Sequence, residues 1–504
     1  VTKICYKKIR VKEFKGLDFY LSLFRFNLQT IEYLLWLFVK IFSMLFLLSL
    51  IELSSQLCYN QAMIFNKLGR KKFVNQYLLK KMIAFRRNSF IKITQKTLVS
   101  LFPFFLLTTT TMVLSESVFS VNGYINNLFN VRSWFPYFST IGLVLTNCTA
   151  LIGGLSGPLA TYFSAKYTAG HYGRSTGTAG ITAFIFSLLI HSRKLFSALL
   201  KDGALMRISL PVNINLIVAI LMGYIVGQIF RFSSPSDDQI VDKYFVYRPK
   251  TVRPILSSLS LALIYSFFLF LGNRYNVFST ISNFFSNLIV NRNNIFVIEM
   301  NTALRTFSAW IGNSNLFNNI PFVNDSFALD NLNYALKQHT TRGIPYPFSS
   351  TNLYDAYGIF AGLGGGLALL VAILWKSRSD KDRDVSLKSI FPSLFNHGAA
   401  FMVGIPIFFN FLFLIPFILV PMINVFIASI FLYFRLMPPA VYPVPSGAPS
   451  VLYAFIGTGG SLRALAVGIF IFIIDVMIYL PFVTFNDQIH DELRRVDPKG
   501  GKHD

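Results

Sequence analysis

Charge is what this 504-residue chain has least of. Only 13 % of its residues are Asp, Glu, Lys or Arg, where a soluble domain carries about 25 %. With 53 % apolar residues and a mean hydropathy of +0.53, that scarcity excludes an ordinary water-soluble protein. Acids are scarcer than bases, 22 against 46 Lys and Arg, for a net charge of +24. In a soluble chain such an excess would suggest nucleic acid. Here no basic motif interleaved with aromatics accompanies it, so no nucleic-acid partner is expected. The bases cluster instead, with ten Lys/Arg and no acid from Lys67 to Lys96, which fits the Lys/Arg excess of cytoplasmic loops. Cysteine is nearly absent. Cys5, Cys58 and Cys148 form neither a disulfide framework nor a metal spacing, and no metal or cofactor is expected. No GxxxxGK[ST] is present, so no nucleotide is held by a P-loop.

What is abundant is long apolar sequence rich in Phe, 54 residues in all, read as lipid-facing and inter-helix bulk. Runs near the ~20 residues that cross a bilayer lie at 31–53, 98–116, 136–160, 178–199, 212–231, 254–272, 354–375, 411–434 and 463–484. Residues 276–312 read as helices lying partly in the interface. The chain divides into an N-terminal extension with one additional span (1–66), an N-terminal membrane half (67–253), a C-terminal half (254–485) and a hydrophilic tail (486–504). The first span lacks a small-residue cleavage site and reads as an uncleaved anchor. Its Glu32, Lys40 and Glu52 lie near the ends or snorkel. Basic loops 67–96 and 376–388, and the tail, are expected in the cytoplasm.

Two segments are too broken by Pro, Gly and Asn to span lipid: 398–410 within FPSLFNHGAAFMVGIPIFFN, and 441–461 within PPAVYPVPSGAPSVLYAFIGTGGS. Non-helical backbone sits at membrane depth only where protein or a water-filled cavity covers its polar groups. Interrupted hydrophobic segments are the best sequence pointer to a carrier's binding site. Both read as re-entrant segments flanking a central site.

These segments resemble the membrane component, enzyme IIC, of the bacterial sugar phosphotransferase system in its lactose/cellobiose/chitobiose branch. The branch pattern FNxxEPxxxGxPxxxNPxxxIPF appears as Phe395-Asn396, Gly404, Pro406, Asn410 and Ile415-Pro416-Phe417. VPWTxPP survives as Val444-Pro445 and Pro449, and ATGGSWRG as Thr458-Gly459-Gly460-Ser461 with Arg463. Weaker echoes are the basic entry to the first family helix at 78–107 and His171-Tyr172-Gly173. The resemblance implies an all-α polytopic fold of about ten transmembrane helices with two re-entrant segments. It also implies a homodimer formed through 67–253, separate IIB and IIA partners, a β-linked disaccharide, and a multi-pass protein of the bacterial cell membrane. A phosphoryl group would come from IIB, so this chain carries no phosphorylated or catalytic residue of its own.

The departures matter as much as the matches. The family's acid falls on Ala399 and the following Pro on Ala400; GIHGxN is met only by Trp310-Ile311-Gly312-Asn313-Ser314-Asn315; and Ser446 replaces the VPWTxPP aromatic. The candidate substrate-binding residues are therefore Asn313, Asn315, Asn396, His397, Asn410, Pro445, Ser446, Gly459 and Arg463. His397 is either a replacement donor or base, or a helix-end histidine bonded to backbone. Asn396 and Asn410 either bind or cap. Gly459 and Gly460 make a turn or present amides. Arg463 is functional or sits at a helix end in water. Asp475 is expected to face the bundle and pair, with Arg463 as a candidate partner. Gly362 to Gly366 reads as close helix packing rather than phosphate binding. Two functions stay open: a IIC sugar permease, and a degenerate relative that serves as a sensor or accessory factor without transport.

Overall fold

The structure is a computed structural model that describes residues 79–191, 215–234, 252–276, 294–312, 326–360 and 362–496. Among these, all regular structure is helical, and the one strand-like feature is an isolated bridge between Gly123 and Ser446. Among the described residues, seven helical stretches are long and apolar enough to cross a membrane: Ser89–Val118, Phe138–His171, Leu216–Ser233, Val252–Leu269, Thr351–Lys376, Phe411–Tyr433 and Leu462–Arg495. Such helices satisfy their backbone groups internally, as lipid demands, and the chain is a multi-pass membrane protein.

The helices are longer than the apolar runs that announce them. Helix α1 (Ser89–Val113) begins well before 98 because Asn88 caps it, its side chain accepting from Phe90 N at 3.0 Å. It ends in a π-helical turn, Leu114–Val118. Helix α2 (Phe138–His171) runs through Pro158, so the run at 136–160 is only its first part. Helices α3 (Thr176–His191), α4 (Leu216–Ser233) and α5 (Val252–Arg274) follow. The span expected at 31–53, the residues beyond His191 in 178–199, and 277–293 lie outside the described residues. Helix α6 (Ile295–Trp310) and the amphipathic α7 (Ser326–Gln338) complete this part of the chain.

The run at 354–375 is not one helix. A π-helical turn, Thr351–Gly358, leads to a glycine break before α8 (Gly366–Lys376). Gly364 has φ +61°, and a Cβ there would lie 2.2 Å from the Phe417 ring. Only glycine permits both the left-handed backbone and the close approach. The glycine run therefore serves packing and a change of direction.

Helix α9 (Asp380–Leu394) leads into the first broken segment, whose only helix is the six-residue α10 (Ala399–Gly404). Helix α11 (Phe411–Tyr433) then precedes the second broken segment. There, non-helical residues 438–449 are followed by α12 (Ser450–Gly457) and a turn at Gly459 and Gly460, with φ of +73° and +90°. Both segments have the interrupted form expected of re-entrant elements. Helix α13 (Leu462–Val496) closes the fold.

The main core brings α10 to its centre. Phe401 and Val403 are fully buried with Leu98 and Leu101 of α1, Leu369 of α8, Phe413 and Phe417 of α11 and Tyr479 of α13. A short helix with such a coat needs no length of its own to be held. Between α11 and α13, Asn424 Nδ2 donates to Asp475 Oδ2 at 3.0 Å, with both residues at 0 % exposure. This corrects the pairing of Asp475 with Arg463. Arg463 is exposed near the start of the same helix, and twelve residues at 1.5 Å each separate the two by about 18 Å.

Helix α13 also runs past 485 into what reads as tail. Arg86 Nη2 donates to Asn486 Oδ1 at 2.6 Å, while Ser377 Oγ and Arg378 N donate to Asp487 at 3.0 and 2.9 Å. Residues that look like a solvated tail are thus partners for buried groups.

Candidate functional site

The first broken segment starts where α9 stops. Pro392 sits inside its last turn, Asn396 takes a left-handed φ of +65°, and His397 N bonds back to Pro392 O at 2.8 Å. A left-handed residue that closes on carbonyls of the final turn is a standard helix stop, and Asn tolerates it better than most residues. The turn sends the next side chain toward α1. His397 Nε2 lies 3.3 Å from Glu116 Oε2, in the π-helical turn that ends α1. The histidine side chain is 15 % exposed and the glutamate 40 %.

The second broken segment meets the same turn. Ser446 N donates to Asn122 O at 3.0 Å and Tyr124 N to Ser446 O at 2.9 Å. Ser446 Oγ lies 3.2 Å from Asn122 O and 3.4 Å from Glu116 O. Gly447, at φ +62°, lets the chain pass against Ser117, where a Cβ would come within 2.7 Å of the serine's Cβ. Three stretches far apart in sequence, 114–124, 395–398 and 444–447, thus converge on Glu116. His397 touches its side chain and Ser446 its backbone.

The other expected site residues divide. Asn396 is exposed at the left-handed turn, with its Oδ1 facing Gly362. Asn410 caps α11, its side chain accepting from Leu412 N at 3.2 Å, and is 6 % exposed. Its side-chain oxygen is therefore used by the backbone. Pro445 is half-buried beside Ser446. Gly459 packs against the Tyr442 ring. It lines an open cleft of about 480 Å³ with His339, Thr340, Thr341, Tyr442 and Thr458. Arg463 is exposed at the second position of α13. Asn313 and Asn315 lie outside the described residues. Among the described residues no cluster of His, Cys, Asp and Glu could hold a metal ion.

The residue that sequence reasoning missed is Glu116. A signal was available, because it is the only acid between Glu52 and Asp202. It was hidden by its place at the edge of an apolar run, where a charge reads as the end of a span.

No protein-family profile matches the chain. It is 33 % identical over 138 residues to the cellobiose-specific EIIC component of the PTS system of Lactococcus lactis subsp. lactis (strain IL1403), a match covering 27 % of this chain and 28 % of that one. The chain thus spans little more than a quarter of that relative's length. To the lactose-specific EIICB component of Staphylococcus aureus it is 23 % identical over 432 residues, covering 81 % of this chain and 70 % of the relative. Among solved structures, it is similar to the transporter ChbC, the IIC component from the N,N'-diacetylchitobiose-specific phosphotransferase system. That similarity has a TM-score of 0.36 and 18 % identity, over 85 % of this chain and 99 % of the other.

Proposed function

We propose that this chain, a divergent relative of the EIIC components of cellobiose- and lactose-specific phosphotransferase systems, is a sugar permease that translocates a β-linked disaccharide across the bacterial cell membrane. The observation that carries this reading is the alignment with the lactose-specific EIICB component over 81 % of the chain. The local chemistry supports it. A disaccharide site needs a few placed polar groups in otherwise apolar surroundings, and Asn396, His397 and Ser446 offer an amide, an imidazole and a hydroxyl on broken backbone. Separate IIB and IIA proteins would deliver the phosphoryl group from the cytoplasm. The basic loop 376–388 and the end of α13 would face that side.

Ala399 leaves the first segment without its expected acid, which is what the alternative of a transport-dead relative rests on. The site is not without a carboxylate, however, since Glu116 reaches it from α1. The transporting reading is therefore the one the geometry favours.

The test is uptake of radiolabelled cellobiose, lactose and N,N'-diacetylchitobiose by cells stripped of their own systems. The cells would express this chain together with IIA and IIB proteins of the cellobiose or lactose type. Accumulation of one sugar as its phosphate is expected; no accumulation of any of the three would reject the reading. A homodimer built through residues 67–253 is part of the proposal. The detergent-free mass of the purified protein should then be twice the 57.1 kDa of the chain.

A further inference from the structure

We infer that Glu116 and His397 form a carboxylate–imidazole pair that binds a hydroxyl group of the transported sugar, with Glu116 as the hydrogen-bond acceptor. The inference rests on the permease reading and adds to it a residue from the first half of the molecule.

Position is the first argument. Glu116 is the lone acid between Glu52 and Asp202 and stands at the end of an otherwise apolar span. Ionisable groups within or bordering spans are costly and face polar interiors or water-filled cavities. The π-helical turn, Leu114–Val118, carries an extra residue that rotates the following side chains out of α-helical register, and such turns are frequent at functional sites.

Incomplete bonding is the second. With Nε2–H of His397 donating to Glu116 Oε2, the second carboxylate oxygen and Nδ1 of the ring meet no hydrogen-bond partner among the described residues. At 40 % exposure the carboxylate is open to a ligand, while the histidine side chain is 15 % exposed. A carboxylate oxygen with a free lone pair accepts from a sugar hydroxyl, and the imidazole beside it fixes the direction of approach.

Support is the third. The backbone of the turn is tied to the second broken segment through Ser446, and His397 is fixed by its bond to Pro392 O. Both partners are therefore held by backbone and not by each other alone. A partly exposed pair that served only as a staple would add little stability, and would not need this scaffolding.

The alternatives predict different numbers. In detergent-purified full-length protein, calorimetric titration with cellobiose, lactose and N,N'-diacetylchitobiose identifies the tightest sugar. Glu116→Gln should weaken that sugar about tenfold or more, as the loss of a charged hydrogen-bond partner does. His397→Asn should weaken it too, and the double variant should bind no worse than Glu116→Gln alone. Glu492→Gln, which breaks the exposed pair of Glu492 with Arg495, is the control and should leave binding unchanged. A single symmetric gel-filtration peak and an unchanged melting midpoint establish that each variant is folded. If Glu116→Gln proves unfolded, Glu116→Asp replaces it and should show an intermediate loss. Binding by the unaltered protein with equal binding by Glu116→Gln overturns the pair while leaving the permease reading intact. Failure of the unaltered protein to bind any of the three sugars overturns the permease reading, and the pair's assignment with it.

Discussion

The bond between Asn424 and Asp475 offers a quantitative check on how the bundle is held. Both side chains are at 0 % exposure, the bond is 3.0 Å long, and Oδ1 of each residue has no partner among the described residues. Asn424→Ala removes the one donor the carboxyl has. The expected cost is about 1–3 kcal/mol, mostly the penalty for leaving a buried polar group unpaired. Asp475→Leu strands the Asn424 amide and should cost a similar amount. The double variant removes both polar groups and leaves nothing stranded, so it should be less destabilised than the sum of the single variants. Coupling energies inside membrane bundles average about 0.6 kcal/mol and reach about 1.7. Complete burial places this pair toward the upper end, at about 1–1.7 kcal/mol. The assay is a four-protein unfolding cycle in mixed micelles, titrated with dodecyl sulfate and followed by loss of helical signal. Additivity of the two single effects within about 0.3 kcal/mol, the usual behaviour of independent sites, would refute the claim that this bond joins α11 to α13.

Three further outcomes are expected. Phe401→Ala, which empties the centre of the main core, should destabilise the protein by about 3–5 kcal/mol; a change below about 1 kcal/mol in the same titration would mean that α10 is not the packed centre described. Burial, and then the neighbouring Asp487, raise the carboxyl of Asp382 from 3.8 to about 6. The folded chain therefore holds that proton more tightly than the unfolded chain, and the group's favourable contribution is complete below about pH 4 and lost as pH rises through 6. Asp382→Asn should then melt higher than the unaltered protein at neutral pH, and the advantage should shrink at about pH 4.5; an equal offset at both pH values would contradict this. The proposed cytoplasmic placement of the C-terminus predicts that a green fluorescent protein fused after Asp504 fluoresces and an alkaline phosphatase fused there is inactive; the reverse pattern would invert the orientation.

Much of the architecture was legible before the structure. Apolar runs of bilayer length with few charges leave the backbone no partners but its own, so α1, α2, α4, α5, α11 and α13 were each announced. The two broken segments were visible for the complementary reason: Pro, Gly and Asn at close spacing cannot continue a helix. The ends were less legible. Residues 486–496 are polar and read as tail, yet they continue α13 because Arg86, Ser377 and Arg378 supply partners that composition does not show. The run at 354–375 looked continuous because glycine is compatible with apolar sequence, and only the Phe417 ring reveals that the chain must turn there.

The site shows the same division. Local sequence by itself determined that His397 and Ser446 would stand on non-helical backbone, since turn-forming residues act over a few neighbours. That Asn410 caps and that Asn396 takes a left-handed turn are likewise local matters, although the sequence left binding open for both. Which acid would meet His397 was a question of contact across the fold, and the obvious position in sequence, Ala399, carries none. Tertiary structure alone decided it, by packing the end of α1 between the two broken segments so that Glu116, hundreds of residues away in sequence, lies 3.3 Å from the histidine. Hydrogen bonds to a carboxylate depend on separations of a few ångströms, and in a multi-span bundle those separations are set by which helices pack together, not by spacing along the chain.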